Sequence, residues 1–207
     1  MTTRPAPPPR LPGFEHIPRF WDRRRQRFGA KIGPGEFYVT RSDELLSTVL
    51  GSCVAACVHD CVGGVGGINH FMLPKGGPDL GEGLASEANR FGNFAMESLI
   101  NEVLKSGGRR DRIEVKIFGG ARILVSGTDV GRSNVEFVER YLADERLRVT
   151  AEDLGGESPR KLIYEPRTGR VWVRRMCAFR RDIEAHEKRY LEQLATLPGE
   201  GAIELFT

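Results

Sequence analysis

Paired glycines at 63–64, 66–67, 119–120 and 155–156 punctuate the chain, and this spacing constrains the fold more than any other feature. Glycine supplies 25 of 207 residues, about 12% against roughly 7% in average usage. Such a chain turns often and tightly. The pairs lack the strand, Gly-x-Gly-x-x-Gly and helix context of a dinucleotide site, so they read as turns and places of close packing. The length allows one ordinary domain and a tail, and with 40% hydrophobic residues a sizeable core can be buried.

Between the turns, short strands and helices alternate, which makes the fold class α/β. Residues 36–40, 45–50, 54–60 and 65–73 read as strands, the last two joined through a glycine-rich turn. Over 88–105 the period changes: Ala95, Met96, Leu99, Ile100, Val103 and Leu104 recur at helical spacing, and Gly107 and Gly108 offer a stop. Residues 113–118 form another strand. Ser133 and Glu136 have capping-box spacing, which starts a helix at Asn134 that runs to about Asp144. Residues 161–164 and 171–174 flank Pro166-Arg167-Thr168-Gly169 and read as a hairpin. Asp182 caps a last helix, sparse in apolar residues and expected on the surface.

The charge is unevenly distributed. Up to Phe28, seven arginines stand against Glu15 and Asp22, a net +5, so the rest of the chain carries −2 of the total +3. Six prolines precede Arg19, and residues 1–30 are therefore expected to form a Pro/Arg-rich flexible tail. A folded domain over 31–180 and a C-terminal surface helix and tail over 181–207 complete the division. A slightly acidic domain with a basic tail is a poor match for nucleic-acid binding. No run approaches the roughly 20 apolar residues of a membrane span, nor has the N-terminus an export h-region, so the chain reads as cytoplasmic.

Reduced thiols are then expected at Cys53, Cys57, Cys61 and Cys177. Cys53, Cys57 and Cys61 would share one strand face. No further Cys-x-x-Cys or His-x-x-x-His pair completes a tetrahedral set, and a strand separates the first and last by more than about 20 Å, so no metal is expected. Cys57 and Cys177 read as small buried hydrophobes, and His59 as a solvated residue near the turn.

Cys53 differs because of what stands across the turn. If the strands around it pair at positions summing to 123, Cys53 faces His70, at a Cβ separation of roughly 4.5 to 5.5 Å. A thiol at that distance can pass its proton to the imidazole and act as a nucleophile. Gly51-Ser52 before it suits a tight turn that exposes sulfur and aims backbone amides at a developing oxyanion. A buried cysteine beside a hydrogen-bonded core histidine gives the same pattern.

Several ordered motifs carry a resemblance. Leu50-Gly51-Ser52-Cys53-Val54-Ala55, Asn69-His70-Phe71-Met72-Leu73-Pro74, Asn93-Phe94-Ala95-Met96-Glu97, Lys116-Ile117-Phe118-Gly119-Gly120-Ala121 and the hairpin after Arg160 together resemble the CheD family of bacterial chemotaxis, over about residues 36–175. The resemblance implies a single-domain α/β sandwich of mixed, largely antiparallel sheet with helices packed on it. It also implies a cofactor-free glutamine deamidase acting on methyl-accepting chemotaxis receptors, with Cys53 as nucleophile, His70 as base and a threonine orienting the imidazole. By position that threonine falls at Ser47, with Thr48 next to it, and strand alternation lets only one face His70. Ser133-Asn134 stands where the family is expected to have Arg-Asn. A CheC-type phosphatase is a further implied partner, and a non-catalytic module docking on receptor or phosphatase is the alternative function.

Overall fold

The computed structural model describes residues 5–73, 82–124, 129–176 and 179–196. Among them, strands β1 (Arg19–Asp22), β2 (Arg27–Lys31), β3 (Phe37–Thr40), β4 (Glu44–Leu50), β5 (Val54–Asp60) and β6 (Val65–Asn69) precede helix α1 (Glu82–Lys105). Then come β7 (Glu114–Gly119), α2 (Val130–Asp144), β8 (Arg148–Leu154), β9 (Arg160–Glu165), β10 (Arg170–Arg175) and α3 (Arg180–Thr196). The strands form two five-stranded sheets, β1-β2-β4-β9-β10 and β3-β6-β5-β7-β8. Each sheet is antiparallel apart from one parallel pair, β2 with β4 in the first and β7 with β8 in the second.

The second sheet lies between two layers. Every residue of β5 and β6 is buried, because Met96, Leu99, Ile100 and Val103 of α1 join the core from one side and the first sheet covers the other. Two buried hydroxyls tie the sheets together: Tyr164 on β9 donates to the Val58 carbonyl at 3.0 Å, and Tyr38 on β3 donates to Glu44 on β4 at 2.9 Å. The fold is thus α/β, two mixed sheets with helices packed outside, as the alternation and the resemblance both implied.

The expected flexible tail is instead largely built in. β1 and β2 form an antiparallel hairpin, and β2 continues the first sheet by pairing in parallel with β4. Phe14 and Ile17 lie in the core, and Arg19 makes a buried ion pair with Glu44 at 2.6 Å while also donating to the Pro8 carbonyl. Proline excludes helix from this segment but does not stop an extended chain from burying its aromatic and aliphatic side chains.

Other boundaries also move. α2 starts a turn early, with Asp129 as its cap accepting from the Arg132 amide; Ser133 sits inside the first turn and bonds the Asp129 carbonyl, so the expected capping box does not form. Asp182 lies in the first turn of α3 rather than ahead of it. β8 escapes sequence reading because its residues are mostly exposed on both faces and show no alternation. His59, expected in solvent, is buried under Gly169, where an added Cβ would come within 2.1 Å of the ring. Its neighbour Asp60 is saturated by the Val62, Gly63 and Arg109 amides and by Arg112.

Candidate active site

β4 ends at Leu50 and β5 begins at Val54, so residues 51–53 turn the chain from one sheet into the other. Three partners fix this turn. The Ala121 amide donates to the Gly51 carbonyl at 2.7 Å, Asn134 Nδ2 to the Ser52 carbonyl at 2.8 Å, and the Gly120 amide to the Cys53 carbonyl at 2.8 Å. In a trans peptide the carbonyl and the following N–H point opposite ways. Holding the Gly51 and Ser52 carbonyls on one side therefore turns the Ser52 and Cys53 amides to the other. The approach needs glycine: a Cβ at Gly119, whose φ is +117°, would sit 2.1 Å from the Cys53 carbonyl oxygen.

The amides of Gly51, Ser52 and Cys53 thus converge. Their common acceptor is the carboxylate of Glu187 from α3, at 2.9, 2.8 and 3.3 Å, and the Ser52 hydroxyl donates to it at 2.6 Å. Glu187 is 3% exposed. Burial, with the Glu187 charge beside it, pushes the Cys53 thiol well above its ordinary pKa.

His70 follows β6. The observed β5–β6 pairs sum to 125, not 123, as in Cys57 with Ile68 and Val58 with Gly67. The turn is longer than expected because the Asp60 carboxylate takes the Val62 and Gly63 amides and Gly64 adopts a positive φ of +64°. A shift of two residues keeps each side chain on its face, so His70 becomes a diagonal rather than a direct neighbour of Cys53. Cys53 is fully buried and His70 is 3% exposed.

The hydroxyl that meets His70 is that of Thr48, not Ser47. Thr48 Oγ1 lies 2.8 Å from His70 Nδ1 and donates its one hydrogen to the Ile32 carbonyl at 2.8 Å. It must therefore accept from Nδ1–H, which leaves Nε2 as the unprotonated nitrogen of the neutral ring. Nε2 is buried with no hydrogen-bond partner among the described residues. Burial drives the imidazole pKa down to about 3 from 6.5, and His186 of α3 pushes the same way. Ser47, one residue earlier, turns to the Ala30 carbonyl at 3.4 Å.

Cys57 is buried in the core and Cys61 is exposed, while Cys177 lies outside the described residues. The parts that two residues play at the site were not read from sequence. Asn134 braces the turn, its Oδ1 accepting from the Leu73 amide and its Nδ2 holding Ser52. Glu187 sits 134 residues from Cys53 on a hydrophilic helix. Only burial distinguishes it from its solvated neighbours. A cleft of about 130 Å³ opens beside His70, lined in part by Gly35, Phe91, Phe94 and Ala95.

The turn thus gathers a buried thiol, three convergent amides and, diagonally across the β5–β6 pair, a histidine held in one tautomer. A family profile described as CheD chemotactic sensory transduction matches residues 72–175. The chain is 52% identical over 200 residues to the probable chemoreceptor glutamine deamidase CheD of Halorhodospira halophila, covering 95% of this chain and 93% of that protein. It is 45% identical to the protein of the same name from Hahella chejuensis, with 98% and 97% covered, and 48% identical to that of Saccharophagus degradans, with 96% and 94% covered. The chain belongs to the CheD family. No described helix is long and apolar enough to cross a membrane.

Proposed function

We propose that this chain is a chemoreceptor glutamine deamidase, like the relatives it resembles by name, and that Cys53 and His70 carry the reaction. The observation that supports the mechanism most is the histidine's fixed state: with Nδ1–H engaged by Thr48, Nε2 is the atom left to take a proton.

In the first half-reaction the thiol proton passes to His70 Nε2 and Cys53 sulfur attacks the side-chain carboxamide carbon of a receptor glutamine. The carbonyl oxygen becomes an oxyanion facing the amides of residues 51–53, whose direction is set before the reaction. His70 returns the proton to the departing nitrogen and ammonia leaves, so the acyl group remains as a thioester. In the second half, His70 Nε2 takes a proton from water and the hydroxide attacks the thioester. Cys53 leaves with the proton, and glutamate and ammonia are the net products of glutamine and water. No metal or organic cofactor enters these steps.

A cytoplasmic location, where thiols stay reduced, suits the free Cys53. The family resemblance also supports a CheC-type phosphatase as a binding partner. The test is ammonia release from purified receptor cytoplasmic fragments: Cys53→Ala and His70→Ala should each abolish it while remaining folded. Undiminished release from either variant overturns the mechanism. Full rescue of chemotaxis by Cys53→Ala in a deletion strain would favour docking without catalysis.

A further inference from the structure

Helix α3 is needed neither to complete a sheet nor to supply a step of the proposed reaction. Most of its surface is polar, yet Glu187, Leu191 and Leu194 are buried. Glu187 takes every amide of the cradle and the Ser52 hydroxyl, four donors in all. A Cβ on Gly51 would stand 2.1 Å from Ile123 Cδ1 and 2.9 Å from both Glu187 oxygens, so glycine leaves room there for the isoleucine and the carboxylate together.

We propose that α3 occupies the place of the substrate, with Glu187 held as a tethered copy of the reaction product, so that the chain blocks its own site until a glutamine-bearing helix displaces α3. This rests on the deamidase reading, because glutamate is the product that hydrolysis of a glutamine side chain leaves on the substrate. The occupant has the product's two methylenes and carboxylate, and it is presented from a helix to the amides beside Cys53. With α3 in place Cys53 is fully buried and His70 is 3% exposed, so no side chain of another protein reaches sulfur.

The blocked state is chemically quiet as well as covered. A negative carboxylate beside the sulfur opposes formation of a thiolate. The contact is also replaceable, since its main polar anchor is a set of charge-assisted hydrogen bonds that an incoming carboxamide oxygen, and then the oxyanion, would take over. Beyond it the hold is apolar: Leu191 and Leu194 are buried in the core and Tyr190 packs against it. The same geometry selects substrate length. An asparagine side chain is one carbon–carbon bond shorter than the one now reaching the cradle, so glutamine on a helix is accepted and asparagine at the same position is not.

The test is the rate at which iodoacetamide alkylates Cys53 in the folded full chain, read by peptide mass spectrometry with exposed Cys61 as internal reference. Glu187→Ala should raise the Cys53 rate about tenfold or more relative to Cys61, as expected when a rarely open state becomes the common one. Leu191→Ala with Leu194→Ala, which leaves the carboxylate and cradle intact, should raise it too and decides the matter if Glu187→Ala fails to fold. Unchanged Cys53 reactivity in the folded variants overturns the proposal without touching the deamidase reading. Raised reactivity with no ammonia release from receptor fragments keeps the blocked state and sinks the deamidase reading. In Glu187→Gln, residue 187 should gain one dalton by self-deamidation, and not when combined with Cys53→Ala. A glutamine persisting at 187 in a protein that still deamidates receptor fragments would overturn the assignment of α3 to the substrate's place.

Discussion

The N-terminal arm enters the molecule through apolar side chains and sheet hydrogen bonds, whereas α3 joins no sheet and adds to its buried Leu191 and Leu194 a carboxylate held by four hydrogen bonds. Both segments have the composition of surface appendages. The arm buries Phe14 and Ile17, pairs β2 with β4 and seals Arg19 against Glu44. Just beyond β2, the Ile32 carbonyl takes the Thr48 hydroxyl and so sets the tautomer of His70 from below. α3 reaches the same site from the other side, and its contact at the site is a carboxylate whose hydrogen bonds a substrate can duplicate. An appendage that completes a sheet belongs to the scaffold; one whose contact at the site a substrate can duplicate belongs to the working cycle.

The largest difference between the two segments is expected at the arm's buried ion pair. Glu44→Ala leaves Arg19 buried and unpaired and should cost about 3–5 kcal/mol in urea unfolding. Glu187→Ala should cost no more than about 1 kcal/mol, because α3 can move away and let water reach the freed amides. Equal losses at the two positions would erase the distinction between scaffold and cover.

Next in size is the pair of adjacent hydroxyls on β4. Thr48→Ala frees the imidazole to adopt the wrong tautomer and should lower kcat for ammonia release about 100-fold, a typical share for positioned acid–base catalysis. Ser47→Ala, which touches only the Ala30 carbonyl, should change it less than about twofold. The reverse order would detach the arm from the chemistry.

The pH dependence of stability sharpens the role of the cover. His70 is neutral in the fold down to about pH 3, but in the unfolded chain it binds a proton near its ordinary value of 6.5. Because the unfolded state then holds more protons, this contribution is fully present above about pH 6.5 and is lost as pH falls towards 3. Between pH 6.5 and 5 the loss should be on the order of 2 kcal/mol in urea titrations. His70→Gln should remove most of the slope and leave the share of His59, whose pKa burial also lowers, and Glu187→Ala should flatten it by admitting water to the ring. An unaltered slope in His70→Gln would mean that other groups carry the acid sensitivity.

Much of the frame was readable from the residues. β3 to β7, the β9–β10 hairpin and the core face of α1 follow from apolar period and from glycine at the turns. The arm did not, because prolines signal the absence of helix but say nothing about whether Phe14 and Ile17 find a core. β8 lacks a buried face and therefore lacks a period. At the site, the shared sheet face of Cys53 and His70 was legible from their separation, but the register was two residues off because Asp60 and Gly64 lengthen the turn. Thr48 and Ser47 were distinguishable only once β4 had a known facing. Asn134 and Glu187 act over 82 and 135 residues of separation from Ser52, and no local pattern carries such contacts.

The most direct test of the central claim is the mass of a receptor cytoplasmic fragment before and after incubation with the full chain. The account predicts a one-dalton gain at specific glutamines, faster with Glu187→Ala and absent with Cys53→Ala. A gain that survives Cys53→Ala, or no gain with either the native chain or Glu187→Ala, would contradict it.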